Sequence, residues 1–183
     1  MSAALVALLA VASARAQAIL VPSQYPTIGA ALAVATSGTT ILVAAGVYNE
    51  RLVWPGIDGI RLIGESGAAA TVIDGSAAGT VITFGAGITR QTVVAGFTIQ
   101  NGFLQATSNN GAGISIYNGS PTIRDNRLTG NAIDGASWNF GGAIYVGGSG
   151  ANPRIFHNEI DNNELRNGSW NFGAGIHVAS SAR

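Results

Sequence analysis

Aromatic side chains recur in two copies in the second half of the chain. The pentapeptide SWNFG occupies positions 137–141 and 169–173, so each of its rings has a counterpart 32 residues later. Ring faces attract the partly positive C–H groups of sugars. The pattern predicts an aromatic, asparagine-rich surface that contacts carbohydrate, and its residues are Trp138, Trp170, Tyr145, His177, Phe140 and Phe172. The alternative is that these rings only pack a long loop against the body of the protein.

Ionisable side chains form two further sets. Asp125 and His157 occupy equivalent positions of the two copies, where a carboxylate beside an imidazole could transfer protons. Arg127, Glu159 and Asp161 could join a base to calcium ligands, but calcium requires roughly six to eight oxygens, usually from several carboxylates. No nucleophile accompanies the first set, and the second has only two acids. We therefore assign no catalytic residue, metal ligand or cofactor to this segment.

The aromatic copies belong to a longer repeat. Segments 121–146 and 153–178 align without a gap, and a fixed period in this range is typical of stacked repeat units. Each unit contains short runs of alternating apolar residues between glycines and asparagines, which predict short strands. Weaker runs extend this pattern upstream to Thr40. We predict an all-β, single-stranded, right-handed parallel β-helix, or solenoid, of about five coils.

Asparagines repeat with the same period. Asn126 and Asn131 stand 32 residues before Asn158 and Asn163. Stacked amides can hydrogen-bond from coil to coil as a structural ladder. Such a ladder satisfies inward polar groups that would otherwise cost about 1–3 kcal/mol each. Asparagine also tolerates the left-handed backbone that sharp corners require.

The amino-terminal region contains two different signals. Residues 1–18 combine an apolar run with small residues, which predicts a signal peptide cleaved after Ala16 or Ala18. Residues 27–35 carry apolar side chains on one helical face, with Thr27 at the N-cap, so we predict a helix that covers the first coil. The β-helix domain then spans residues 19–183. We expect further coils beyond Arg183, because the last strand would otherwise lack a cover.

Composition limits the possible partners. Nine basic and nine acidic residues give a formal net charge of zero, and the basic residues are scattered arginines. Nucleic-acid binding requires a basic face, so we expect no nucleic-acid partner. The amino-terminal apolar run is too short to span a bilayer, and we expect no membrane span. The absence of cysteine excludes thiolate metal sites and is consistent with a bacterial exported protein.

Four motifs in the first part of the chain resemble a known group. They are YPTI at 25–28, G-x-Y-x-E at 46–50, LIGE at 62–65 and GFTIQNG at 96–102. Together they resemble the opening of right-handed parallel β-helix proteins of the pectin-lyase-like superfamily, over nearly all of residues 19–183. The resemblance implies the fold, and it implies that Tyr48 and Glu50 belong to the scaffold. The catalytic motifs of polygalacturonase-like and pectin-methylesterase-like enzymes are absent.

Three functions remain open at this stage. The first is a secreted or cell-surface repeat protein that contacts polysaccharide without catalysis in this segment. The second is the amino-terminal part of a polysaccharide lyase or glycoside hydrolase with catalytic coils beyond residue 183, and only this alternative would involve calcium. The third is a structural adhesin or passenger-like protein. The sequence does not indicate an oligomeric state.

Overall fold

The chain winds into a parallel β-solenoid in which each strand pairs with the strand one turn later. A computed structural model describes residues 18–179. Within them lie 22 strands, which form three long and two short parallel sheets. The first sheet consists of β1 (Ala18–Val21), β2 (Thr40–Val43), β5 (Arg61–Gly64), β8 (Val93–Ala95), β13 (Thr122–Arg124) and β18 (Arg154–Phe156).

The other two long sheets each contain five strands. The second sheet consists of β3 (Gly46–Asn49), β6 (Thr71–Asp74), β9 (Thr98–Gln100), β14 (Arg127–Thr129) and β19 (Glu159–Asp161). The third consists of β4 (Leu52–Val53), β7 (Ile82–Phe84), β12 (Ile114–Tyr117), β17 (Ile144–Gly147) and β22 (Ile176–Val178). The five layers that begin with β2, β5, β8, β13 and β18 make about four turns, slightly fewer than the five coils predicted.

Two short sheets occur only in the last three layers. The fourth sheet consists of β10 (Phe103–Leu104), β15 (Ala132–Asp134) and β20 (Glu164–Arg166). The fifth consists of β11 (Ser108–Asn110), β16 (Trp138–Phe140) and β21 (Trp170–Phe172). The prediction that SWNFG lies in a loop is therefore wrong: its central residues form a strand that pairs with equivalents in neighbouring layers. Its inward side chain is asparagine, so the apolar signal of a buried strand is missing.

Alternating side chains of the long sheets build a narrow apolar core. In the first sheet the inward column contains fully buried residues from four layers, namely Ile41, Leu62, Val94 and Ile123. The fifth member of this column, Ile155, is only partly buried. In the fifth layer Ile176 and Val178 are 40% and 55% exposed, although their counterparts Ile144 and Val146 are buried. The difference arises because no described strand covers the fifth layer.

A short helix covers the opposite end of the core. Helix α1 (Ile28–Val34) buries Ile28, Ala31 and Leu32, and Thr27 caps it by accepting a hydrogen bond from the Ala30 amide at 3.1 Å. The Glu50 carboxylate accepts from the amides of Ile28 and Gly29, at 2.8 Å each. The phenol of Tyr48 donates to the Ala44 carbonyl. The Y-x-E part of the sequence motif at 46–50 thus joins the first layer to its cover.

The asparagine pairs selected from the sequence lie in hydrogen-bond contact between layers. Asn126 Nδ2 donates to Asn158 Oδ1 at 3.2 Å, and Asn131 Nδ2 donates to Asn163 Oδ1 at 2.9 Å. The same Asn126 amide also donates to the Val94 carbonyl of the layer before. These asparagines do not themselves adopt the left-handed backbone. The residue before each of them does so: Asp125, Gly130, His157 and Asn162.

Candidate functional site

The fifth sheet presents aromatic rings on its outer side because its strands alternate asparagine with aromatic residues. Within β16 and β21 the central asparagine points inward, and the flanking Trp and Phe point away from the body. Asn139 is fully buried, and its Nδ2 donates to the carbonyl oxygens of Gly135 and Arg166 and to Asn171 Oδ1, at 2.9–3.1 Å. Asn109 Nδ2 in turn donates to Asn139 Oδ1 at 3.1 Å. This third asparagine ladder holds the strands in place from inside.

Two glycines make this third ladder possible. A Cβ atom on Gly135 would lie 2.1 Å from Asn109 Nδ2 and 2.4 Å from Asn139 Oδ1. A Cβ atom on Gly168 would lie 2.4 Å from Asn139 Nδ2. Both glycines stand at the corner before a fifth-sheet strand, so the side-chain amides can approach the backbone there. The sequence therefore fixes the position of the strand through small residues as well as through polar ones.

The outer rings form two columns that cross from the fourth layer to the fifth. The rings of Trp138 and Trp170 are stacked, with centroids 5.5 Å apart and planes 15° apart. Those of Phe140 and Phe172 are stacked at 5.4 Å and 12°. The side chains of Trp138, Trp170 and Phe172 remain 43%, 54% and 39% exposed. We name these four residues the aromatic ladder. Its exposure is unusual for residues whose burial stabilises folds.

Tyr145 and His177 flank the aromatic ladder on the third sheet and are less accessible. Their rings stack on each other at 5.9 Å, and His177 also lies 4.7 Å from Phe140. Tyr145 is only 9% exposed, so it offers little surface to a ligand even though it occupies an outward position. Burial raises the pKa of the Tyr145 phenol and lowers the pKa of the His177 imidazole. His177 is therefore neutral at pH 7.

The two ionisable sets form surface ion pairs. His157 Nδ1 lies 3.6 Å from Asp125 Oδ1, and both side chains are largely solvent-exposed. Arg127 was placed over Glu159 by the repeat, but its guanidinium reaches past this residue and donates to Asp161 at 2.7 Å. That hydrogen bond lowers the pKa of the Asp161 carboxyl. Such exposed pairs contribute little to stability, typically about 0–1 kcal/mol.

Two searches for other kinds of site give negative results over residues 18–179. No group of three or more potential metal-ligating side chains was found there. Helix α1 is too short to cross a bilayer, and no other helix of that range could do so. The predicted signal peptide lies almost wholly outside the described residues, since only Ala18 of it is included, as the first residue of β1. Comparisons with protein-family models, with curated proteins and with solved structures found no match for the chain.

Sequence reasoning placed the aromatic rings together but missed the ladder of Asn109, Asn139 and Asn171. A signal for that ladder was present, because both copies of SWNFG carry asparagine between the aromatic residues. Read with a period of two, the pattern puts the asparagine on the opposite face from the rings. The asparagines of the three ladders thus point inward, and Asn109, Asn126, Asn131 and Asn139 are buried. They therefore add nothing to the predicted asparagine-rich exposed face.

Proposed function

We propose that this chain is a secreted or cell-surface solenoid that contacts polysaccharide through the aromatic ladder. The observation that carries the proposal is the ladder's geometry: two indoles and two phenyl rings stand in register on one face and remain largely open to solvent. Contiguous exposed apolar surface of this kind marks interaction sites in soluble proteins. Stacked rings with uncovered faces suit the C–H surfaces of sugars.

The interior attachment of the fifth sheet argues against a purely packing role for the rings. Asn139 makes four inter-residue side-chain hydrogen bonds on the inner face, and backbone pairing joins β11, β16 and β21. These contacts hold the strands without help from the outer side chains. Serine or threonine in place of the rings would keep the strand and remove a large exposed apolar area. A role in contact with a ligand accounts for the rings.

The cellular setting and the family remain part of the proposal. The composition of residues 1–18 supports export, since it combines an apolar run with small residues at a cleavage position. The motifs at 25–28, 46–50, 62–65 and 96–102 support membership of the pectin-lyase-like superfamily. The exposed ion pairs of Asp125 and Arg127 supply no arranged catalytic group, which supports a binding role for this segment.

The proposal is tested by removing both indoles. Trp138→Ala combined with Trp170→Ala should abolish retardation of the protein in native gels that contain soluble polysaccharides. Val53→Ala removes an exposed apolar side chain from the first layer and serves as the control, which should migrate like the parent protein. Circular dichroism should show that both variants keep the β-solenoid. Migration that is identical for the parent and the double variant on every polysaccharide would refute the proposed function.

A further inference from the structure

The aromatic ladder ends abruptly at the third layer and leaves a ledge. In register with Trp138 and Phe140, the preceding strand β11 carries Ser108 and Asn110. Both are small, polar and exposed. Neither covers a ring in the way that Trp170 and Phe172 cover the opposite faces. The Trp138 and Phe140 faces that point toward the third layer therefore form a wall above a polar floor.

We infer that this ledge binds two consecutive residues of a neutral, β-linked glycan whose ring substituents are all equatorial. The inference rests on the proposed function and identifies the class of sugar and the residues that select it. The sugar rings would lie against Trp138 and Phe140, and their hydroxyl groups would meet Ser108 and Asn110. The outer face of the fifth layer has no corresponding floor among the described residues.

Ring spacing supports two adjacent sugar units. The centroids of Trp138 and Phe140 are 6.0 Å apart along the strand, and their planes differ by 16°. This distance is close to the length of one pyranose unit in an extended chain, and the near-parallel planes suit a chain without a sharp bend. Helically coiled α-linked glucans turn successive rings too strongly to keep both on such a wall.

Substituent geometry selects the sugar configuration. A pyranose with only equatorial substituents presents flat C–H faces, which approach an aromatic ring closely. An axial hydroxyl would hold the sugar away from the ring and would meet its electron-rich face. At the sugar edge, the hydroxyl of Ser108 and the amide of Asn110 supply donors and acceptors. Within residues 18–179 neither side chain makes a hydrogen bond to protein.

The charges near the ledge favour a neutral ligand. No strand of the fifth sheet carries an ionisable side chain. At the neighbouring corner the Arg166 guanidinium is paired with Glu164, while Asp134 accepts a hydrogen bond from the neutral amide of Asn167. The corner therefore has one negative charge in excess. A uronate chain would meet a weakly repulsive field with no cation to bind its carboxylates.

The first experiment fills the ledge. Ser108→Trp with Asn110→Phe would extend the ladder into the third layer and cover the wall. We expect titration calorimetry of the full chain with cellotetraose to show binding for the parent protein and roughly tenfold or greater loss for the filled variant, since each aromatic contact contributes about 0.5–1.5 kcal/mol. Trp170→Ala with Phe172→Ala is the matched control and should bind cellotetraose with less than about threefold change.

The remaining variants separate the two proposals. Asn110→Ala should weaken cellotetraose binding by a few-fold, and this variant tests the floor even if the filled variant does not fold. Maltotetraose and tetragalacturonate should bind the parent more weakly than cellotetraose. Equal binding of cellotetraose by the parent and a folded filled variant, or tighter binding of tetragalacturonate, would overturn the ledge. If retention on polysaccharide gels still depended on Trp138 and Trp170, the proposed function would stand without it.

Discussion

The first two layers and the last two layers of the solenoid share three sheets but differ in what surrounds them. From Ile41 to Leu62 one turn takes 21 residues, whereas from Ile123 to Ile155 it takes 32. Both pairs are buried or partly buried members of one inward column. The additional residues of the later turn form the fourth and fifth sheets. Support and exposed surface are therefore separable in this chain: the long sheets carry the core, and the inserted strands carry the rings.

The two ends also differ in how the core is closed. Helix α1 covers the first layer, so its inward side chains are fully buried. The fifth layer leaves apolar side chains and strand edges open in the described structure. Equivalent side chains thus have different environments only because of their position along the stack. This makes matched substitutions at the two ends informative.

The largest effect is expected from shortening a covered core side chain. Ile41→Ala removes fully buried methylene and methyl groups beneath helix α1, and we expect a loss of about 2–5 kcal/mol in the free energy of unfolding. Ile155→Ala changes the same column at the uncovered end and should cost less than half as much. Denaturant unfolding of both variants measures the difference. Equal losses would show that the fifth layer is covered in solution.

A smaller effect is expected from opening the inner ladder of the fifth sheet. Asn139→Ala leaves the amide of Asn109 and the carboxamide oxygen of Asn171 without their partner, which costs about 1–3 kcal/mol. Amides of β11, β16 and β21 should then exchange with deuterium faster, while those of the three long sheets stay protected. Asn171→Ala, at the uncovered end, is the control and should change exchange less. Faster exchange throughout the molecule would contradict the separation of support and surface.

The helix cover gives a third comparison, at about 1 kcal/mol. Glu50→Gln replaces the carboxylate that accepts from two helix amides, so it removes a favourable charge at the helix amino terminus. Glu65→Gln alters an exposed acid one layer later and should leave the unfolding free energy nearly unchanged. Thermal unfolding of the two variants distinguishes them. Indistinguishable midpoints would mean that Thr27 alone suffices to cap the helix.

The smallest expected effect concerns His177 and pH. Burial lowers the pKa of its imidazole in the folded protein, so between that value and the ordinary value of about 6.5 the unfolded chain binds more protons. Stability should therefore fall as the pH decreases from about 6.5 toward the lowered pKa, and should level off below it. His177→Phe keeps a ring beside Phe140 and removes the titration. A variant with unchanged pH dependence would exclude this contribution.

The sequence specified the last two layers better than their side-chain accessibility. Identity at an offset of 32 gave the register of Trp138 with Trp170 and of Asn126 with Asn158, because stacked layers place equivalent residues side by side. It did not reveal that Tyr145 would be covered, since that depends on the ring of Phe140 and on the absence of a side chain at Gly147. The diagonal contact of Arg127 with Asp161 was missed for a related reason: a long flexible side chain is not limited to its neighbour in register.

Three asparagine ladders and a constant 32-residue period make the last turn of this solenoid a unit that gene duplication can copy. Each copied unit would advance the stack by one interstrand spacing, about 4.8 Å, and would add one Trp–Phe pair in register with the existing ones. The length of the ring-bearing strip would then increase in equal steps while its width stayed constant. A lineage could in this way adjust the number of simultaneous contacts with a long polymer, and hence its avidity, without altering any single contact.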